Sequence, residues 1–428
     1  MAVSPKKFYR PAAWIALACL VVPMFASYYF DDMFSSISYL FEDASLTELG
    51  WDSKAYGLYA SGYSTLCVFG GLVLGGILLD KWGVRVSGSL FVGMMVLGAA
   101  IVTAALLAGG PGALTWAYIG VMLFGLGSEI AGTAVTRSIA KWFKGGLMAL
   151  AMGLQLAIAR VGTAVALVLS PVLVRQMPGH VYSLPETAKP ALFGMGLMAL
   201  GLILWAVFTA LDSRNSDTAQ SGGDGEFRLR DVMKVLGNRN FWLLAFLCVM
   251  FYSSIIAFKK FAGAILIPRF DIPASSAGWM VSMLPFSTVI FAPLFGFLVD
   301  RVGHGARWMI SGAVLALCAH LILAFAPQGV PAWGYVAMVF LGFGYSLVPA
   351  ALWPSVPRIV PDKVLGTTFA LIYWVQNLGL MTFKVLSGKI LGSSAGATGV
   401  ELMFTLLCIL ALAAAVAFSF SAKNIYSK

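Results

Sequence analysis

The sequence predicts an all-α integral membrane protein, with twelve transmembrane helices in two pseudo-symmetric six-helix halves. Three observations carry this expectation. The first is composition: 60% of residues are hydrophobic, 11% are charged and the mean hydropathy is +0.89, whereas soluble domains hold about 45–50% apolar and about 25% charged residues. The second is length, because stretches of about 20 apolar residues, enough to cross a hydrocarbon core, recur twelve times. The third is a duplicated loop, Gly76-Ile77-Leu78-Leu79-Asp80-Lys81-Trp82-Gly83-Val84-Arg85 and Gly296-Phe297-Leu298-Val299-Asp300-Arg301-Val302-Gly303 with Arg307 beyond.

The expected spans of the first half are 12–40, 54–79, 86–109, 114–140, 147–175 and 190–211. Span one is too long and too well flanked to be a cleaved signal peptide, and no small-residue cleavage site follows a short apolar core. The first copy of the loop joins spans two and three. After span six comes Asp212-Ser213-Arg214-Asn215-Ser216-Asp217-Thr218-Ala219-Gln220-Ser221-Gly222-Gly223-Asp224-Gly225, too polar and too rich in Gly and Ser to bury a core. Residues 227–236 then mix Leu, Val and Met with Arg and Lys, the pattern of a short helix lying in the membrane interface. The spans of the second half are 240–267, 274–299, 308–326, 332–356, 365–392 and 398–421, with the second loop between eight and nine and Gly and Pro breaking span ten. The organisation is thus a first bundle over 1–211, a linker over 212–236 and a second bundle over 237–428.

The net charge of +10 invites a nucleic-acid reading, but the placement of the charges argues against it. With the N-terminus inside, eighteen of the 28 Lys and Arg residues fall on the inward segments and five on the outward loops. That asymmetry puts both termini in the cytoplasm. The five cysteines all lie in apolar stretches with no CxxC pair, and the three histidines show no ligand spacing. Neither a metal nor another cofactor is expected. An enzyme is disfavoured as well, because no nucleophile and base pair up at membrane depth.

Charges within spans are the best functional candidates, since each costs about 2.5 kcal/mol or more at the bilayer centre unless it meets water or a partner. Glu129 on span four lies roughly 12 Å deeper than Arg137, and Arg160 on span five comes near the same depth. Either these two form a salt bridge that locks spans four and five, or they face a central cavity and take the ammonium and carboxylate of a zwitterion. Arg137, Asp80, Lys81, Arg85, Asp300 and Arg301 read as gating residues at the cytoplasmic turns. Asp32, with Asp31, follows Tyr28 on span one, where it could carry a proton, set the cavity field or make an interhelical contact. Lys259 and Lys260 adjoin Tyr252 on span seven, and Lys384 is on span eleven beyond Trp374, Gln376 and Asn377. Neighbouring residues on a helix point about 100° apart, so one of each adjacent pair is expected to face the cavity. Tyr345 and Trp353 on span ten are either cavity walls or ordinary packing.

The duplicated loop resembles the signature of the major facilitator superfamily along nearly the whole chain. Three stretches are more specific: Phe124-Gly125-Leu126-Gly127-Ser128-Glu129, Trp142-Phe143-Lys144-Gly145 leading to Arg160-Val161-Gly162, and Ala351-Leu352-Trp353-Pro354 leading to Gln376-Asn377-Leu378-Gly379-Leu380. These are similar to the lysosomal dipeptide carriers of that superfamily. The resemblance implies a dipeptide carrier of a family of passive uniporters, with Glu129 and Arg160 matching the acid on helix four and the base on helix five that hold peptide termini; uniport and proton coupling both stay open for this chain, and a monomer is expected. It does not extend to lysosomal sorting: no acidic dileucine signal and no outer-loop Asn-x-Ser/Thr site is present, and Ala and Gly abound. A bacterial inner-membrane relative without an accessory subunit is expected. The rival expectation is an organic-anion or monocarboxylate carrier, favoured by Arg160, Lys259, Lys260 and Lys384 outnumbering the cavity acids.

Overall fold

A computed structural model of the chain describes residues 11–143, 147–175, 180–214, 233, 235–360 and 364–421. Eleven helical segments among these are long and apolar enough to cross a membrane. One of them, Ser53–Ala108, holds 56 residues, which at helical rise would extend about 84 Å, nearly three times the core of a bilayer. It does not run straight. At Gly83 the backbone leaves the helical region (φ 71°, ψ 175°), and beyond it the Ser87 hydroxyl donates to the Leu78 carbonyl at 2.7 Å. Nine residues of straight helix would separate those groups by roughly 13 Å, so the segment is a hairpin of two spans and the total is twelve.

Span one is Pro11–Asp32; span two starts at Ser53–Leu66 and ends at the Gly83 turn; span three completes Leu72–Ala108; spans four to six are Ala113–Trp142, Met148–Leu173 and Lys189–Arg214. Spans seven to twelve are Arg239–Phe270, Ala274–Val302, Gly305–Phe325, Pro331–Ile359, Leu365–Leu391 and Gly396–Ser421. The linker over 215–232 and most of the expected interfacial helix lie outside the described residues.

Three elements depart from expectation. Span one stops at Asp32 rather than near residue 40: the Ser38 hydroxyl donates to the Ser35 carbonyl at 3.0 Å, competing for the local backbone, and the Ser35 hydroxyl turns back to Asp32. The chain folds into a turn and a 3₁₀ segment, Ser38–Glu42, which docks on span seven through Gly263 N–H to Ser35 carbonyl (3.2 Å) and Ala264 N–H to Ser38 hydroxyl (3.1 Å). Span two contains a π-helical stretch, Cys67–Gly71, with Gly70 at φ 97°. Trp374 of span eleven donates its indole N–H to the Val68 carbonyl in that stretch at 2.8 Å, satisfying an acceptor that a regular helix would have used itself. Span ten, expected to break, continues as one helix through Pro349, Pro354 and Pro357, the ladder on either side of each lost N–H holding it together.

The two halves meet tightly at one end only. At the end away from the repeated loops, a Cβ on Gly57 would lie 2.8 Å from the Lys384 carbonyl, one on Gly388 2.4 Å from the Ser53 carbonyl, and one on Gly278 2.3 Å from the Leu167 carbonyl. These contacts join spans two to eleven and five to eight, and only glycine allows such backbone approach. At the loop end, Gly76, Gly153 and Gly296 have nothing within 4 Å of the same position. The space between the halves is therefore closed at the opposite face and open at the loop face.

Candidate substrate cavity

Span four presents Glu129, Thr133, Thr136 and Arg137 on one face, with Glu129 half-buried and the other three exposed. A polar stripe of this kind cannot face lipid; it lines the water-accessible cleft between the halves. Arg160 of span five, also half-buried, donates from Nη1 to the Tyr345 hydroxyl of span ten at 2.8 Å. Its guanidinium carbon lies 5.6 Å from the centroid of the Tyr28 ring and 5.2 Å from that of Tyr345, within the range of cation–π attraction. Glu129 and Arg160 form no ion pair with each other. Tyr28 is within electrostatic reach of both, which puts the acid and the base on a common cavity wall with a phenol near each.

The second half contributes an aromatic run. Tyr345 packs edge-on to Tyr252 at 6.3 Å between centroids, Trp353 donates its indole N–H to the Tyr252 hydroxyl at 3.0 Å, and Trp353 stacks on Tyr373 at 5.0 Å. The expected residues of span eleven divide. Trp374 is occupied with the Val68 carbonyl. Gln376 is nearly buried and accepts from the Cys248 thiol at 3.5 Å. Asn377 turns to its own helix, donating to the Tyr373 carbonyl at 3.1 Å.

Asp32 and Lys259 are placed differently from Glu129 and Arg160. Lys259 Nζ lies 2.6 Å from Asp32 Oδ2, and Lys260 Nζ lies 2.9 Å from Asp32 Oδ1 and 2.8 Å from Asp31 Oδ2. Thr163 of span five donates to Asp32 Oδ2 at 2.8 Å. Asp32, Lys259 and Lys260 are each at most 5% exposed. Both lysines reach one carboxylate, against the expectation that one of the two would face the cavity, because a four-carbon stem can wrap through the 100° between neighbours. The cluster ties span one to span seven and roofs the cavity.

The arrangement of twelve spans matches known proteins. The family model described as Major Facilitator Superfamily matches residues 17–381 and 254–424. The chain belongs to the major facilitator superfamily. Among curated superfamily relatives, the lysosomal dipeptide transporter MFSD1 of Danio rerio is 30% identical, over 92% of this chain and 83% of its own length. The human protein of that name is 29% identical over 79% of this chain and 71% of its own length. Among solved structures, the nucleoside transporter NupG has a TM-score of 0.71 at 14% identity, covering 96% of this chain and 99% of its own. An auto-inhibited POT family peptide transporter has a TM-score of 0.67 at 17% identity, covering 95% and 96%. The protein is a multi-pass membrane transporter.

The two repeated loops lie at the open face, and the structure separates their charges. Asp80 accepts from Arg137 Nη1 at 2.5 Å, both exposed. Arg85 joins Lys141 and Trp142 on Asp212, at 2.8, 2.8 and 2.9 Å. Every partner named is in the first half. Lys81, Asp300 and Arg301 are exposed and make no ion pair with another described residue.

Sequence reasoning passed over three groups. Tyr63 of span two lies beside Glu129 and shares a hydrogen bond with Ser128 at 3.1 Å; a tyrosine on a half-polar span carries no distinctive pattern. Glu401, at the start of span twelve, was absent from the candidates because it reads as the edge of a loop, yet it is fully buried and 2.8 Å from His320 Nδ1 of span nine. His320, one of the three histidines without ligand spacing, is packed between Phe258 and Phe404. This pair is internal to the second half.

Proposed function

We propose that the protein moves dipeptides, or similar small zwitterionic peptides, across the membrane by alternating access. The observation that carries this reading is the placement of Glu129 and Arg160 on adjacent spans, open to one cleft and not neutralising each other. Arg160 can offer its planar fork to a carboxylate once Tyr345 yields, and Glu129 can accept from an ammonium. Tyr28, Tyr252, Tyr345, Trp353 and Tyr373 supply walls that tolerate varied side chains. The names of the relatives at about 30% identity support the same substrate class.

The mechanism follows from which end is shut. In the state described, substrate exchanges through the loop face, which the excess of Lys and Arg supports as the cytoplasmic side; we read the membrane as a bacterial inner membrane. Rocking the halves about the midplane would open the opposite face by parting Asp32 from Lys259 and Lys260, and would bring the Asp80 and Asp300 loops together. Asp32 accepts from Lys259, Lys260 and Thr163 in the closed end, which favours a latch role and simple uniport over a proton carrier. The rival organic-anion reading loses weight for the same reason, since two of its four basic groups are already neutralised.

A thermal-shift screen of the purified protein against dipeptides, tripeptides, free amino acids and small organic acids tests the reading, because a ligand that binds the folded state raises its melting point by mass action. Dipeptides should stabilise the wild type and not Arg160→Ala. Glu129→Gln and Arg160→Ala should each lower uptake about ten- to a hundredfold, the scale of losing one charge-assisted contact, with the fold retained, while Arg137→Lys stays close to wild type. Stabilisation by organic acids alone would sink the assignment.

A further inference from the structure

We propose that Lys384 is a subsite for an acidic side chain on the first residue of the peptide, so that the carrier prefers substrates of net charge −1. This rests on the dipeptide reading above and deepens it. The charges around the cavity do not cancel: Asp31 and Asp32 answer Lys259 and Lys260, and the termini of a dipeptide would answer Glu129 and Arg160. Lys384 is left over. It is 1% exposed, its Nζ donates to the Ala60 carbonyl at 3.2 Å and lies 5.5 Å from the centroid of the Tyr63 ring, and it makes no ion pair with a described carboxylate. A carbonyl and a ring compensate an ammonium poorly in a dry site, and a carboxylate arriving from the cavity would complete it.

The position within the site follows from Tyr63, which borders both Lys384 and Glu129. The spare ammonium therefore sits one phenol away from the group that takes the peptide's amino end. A Glu or Asp at position one can reach it while its own ammonium stays on Glu129. The same residue at position two is anchored on the Arg160 side, facing Tyr345 and Tyr28.

Binding of Glu-Ala, Ala-Glu, Ala-Ala and Lys-Ala to the purified full-length protein, measured by calorimetry on wild type, Lys384→Met and Lys384→Arg, decides the matter. Glu-Ala should bind wild type about ten- to a hundredfold tighter than Ala-Ala, the scale of one charge-assisted hydrogen bond, with Lys-Ala weakest. Lys384→Met should bring Glu-Ala down to Ala-Ala and leave Ala-Ala within about twofold, while Lys384→Arg retains the preference. Equal binding of Glu-Ala and Ala-Ala by wild type overturns the subsite, whether or not the methionine variant folds, and so does a preference that survives Lys384→Met. If no dipeptide binds and only small dicarboxylates do, the peptide reading itself falls and takes the subsite with it.

Discussion

The two ends of the interface between the halves are built from the same residue types and behave in opposite ways. At the opposite face, charges pair across the halves, Asp32 with Lys259 and Lys260, and glycines bring backbones of different halves to within van der Waals contact. At the loop face, charges pair within the first half, Asp80 with Arg137 and Asp212 with Arg85 and Lys141, and glycines face open space. Burial decides what each pairing contributes. An exposed pair such as Asp80–Arg137 contributes about 0–1 kcal/mol, whereas removing one partner of a buried pair strands a charge and costs about 3–5 kcal/mol.

The largest effect should therefore come from the latch. Asp32→Ala strands Lys259 and leaves Lys260 with Asp31 alone; it should cost about 3–5 kcal/mol in the state described, seen as a lower Tm and as faster labelling, by a membrane-impermeant thiol reagent, of a Tyr59→Cys reporter at a buried position near Gly57 on span two. Asp80→Ala, the corresponding loss at the loop face, should shift Tm within the scatter of a surface change. Equal effects of the two would mean that the ends are not distinguished by burial.

Next come the glycines. Gly278→Ala puts a methyl 2.3 Å from the Leu167 carbonyl, a backbone atom that cannot swing away, and overpacking of that kind costs about 1–3 kcal/mol. Because the strain exists only while spans five and eight touch, the substitution should shift the population about ten- to a hundredfold toward the state open at the opposite face, readable by the same labelling. Gly76→Ala, with nothing within 4 Å, is the control and should leave labelling unchanged. A larger response from Gly76→Ala would contradict the assignment of the open end.

Much of the fold was legible because a bilayer imposes strong rules on a sequence: length gave the spans and the loop pattern gave the two halves. Glu129 and Arg160 stand out in the sequence through their depth, since a charge far from either surface needs water or a partner, and their role as a binding pair is a proposal. What escaped was whatever depends on partners distant in sequence. Span one ends before Ser35 and Ser38, which hydrogen-bond locally and dock on span seven, and nothing in the apolar pattern marks that. The π-helical stretch at Cys67–Gly71 is tied to Trp374, some three hundred residues away. Lys259 and Lys260 looked like anion ligands until Asp31 and Asp32 were placed beside them. Their long stems defeated the rule that neighbours on a helix diverge.

The smallest expected effect tunes the closed end through pH. Glu42 ends the 3₁₀ segment that leans on span seven, receives a hydrogen bond from the Ser53 hydroxyl, and lies outside the spans. Burial of its carboxyl, with Asp52 nearby as the lesser cause, pushes its pKa up to about 7. A carboxyl raised in the folded state binds its proton more tightly there than in the unfolded chain, so its contribution to stability is full below the unfolded value near 4.5 and is lost as pH rises toward 7. The residue as a whole is exposed, and solvent screening keeps the effect small. Between pH 4.5 and 7.5 the wild-type Tm should therefore fall relative to that of Glu42→Gln, which carries no titrating group at that position. Parallel curves would show that the closed end does not sense this proton, and the asymmetry of the two faces would then rest on the Asp32 latch and the glycine contacts alone.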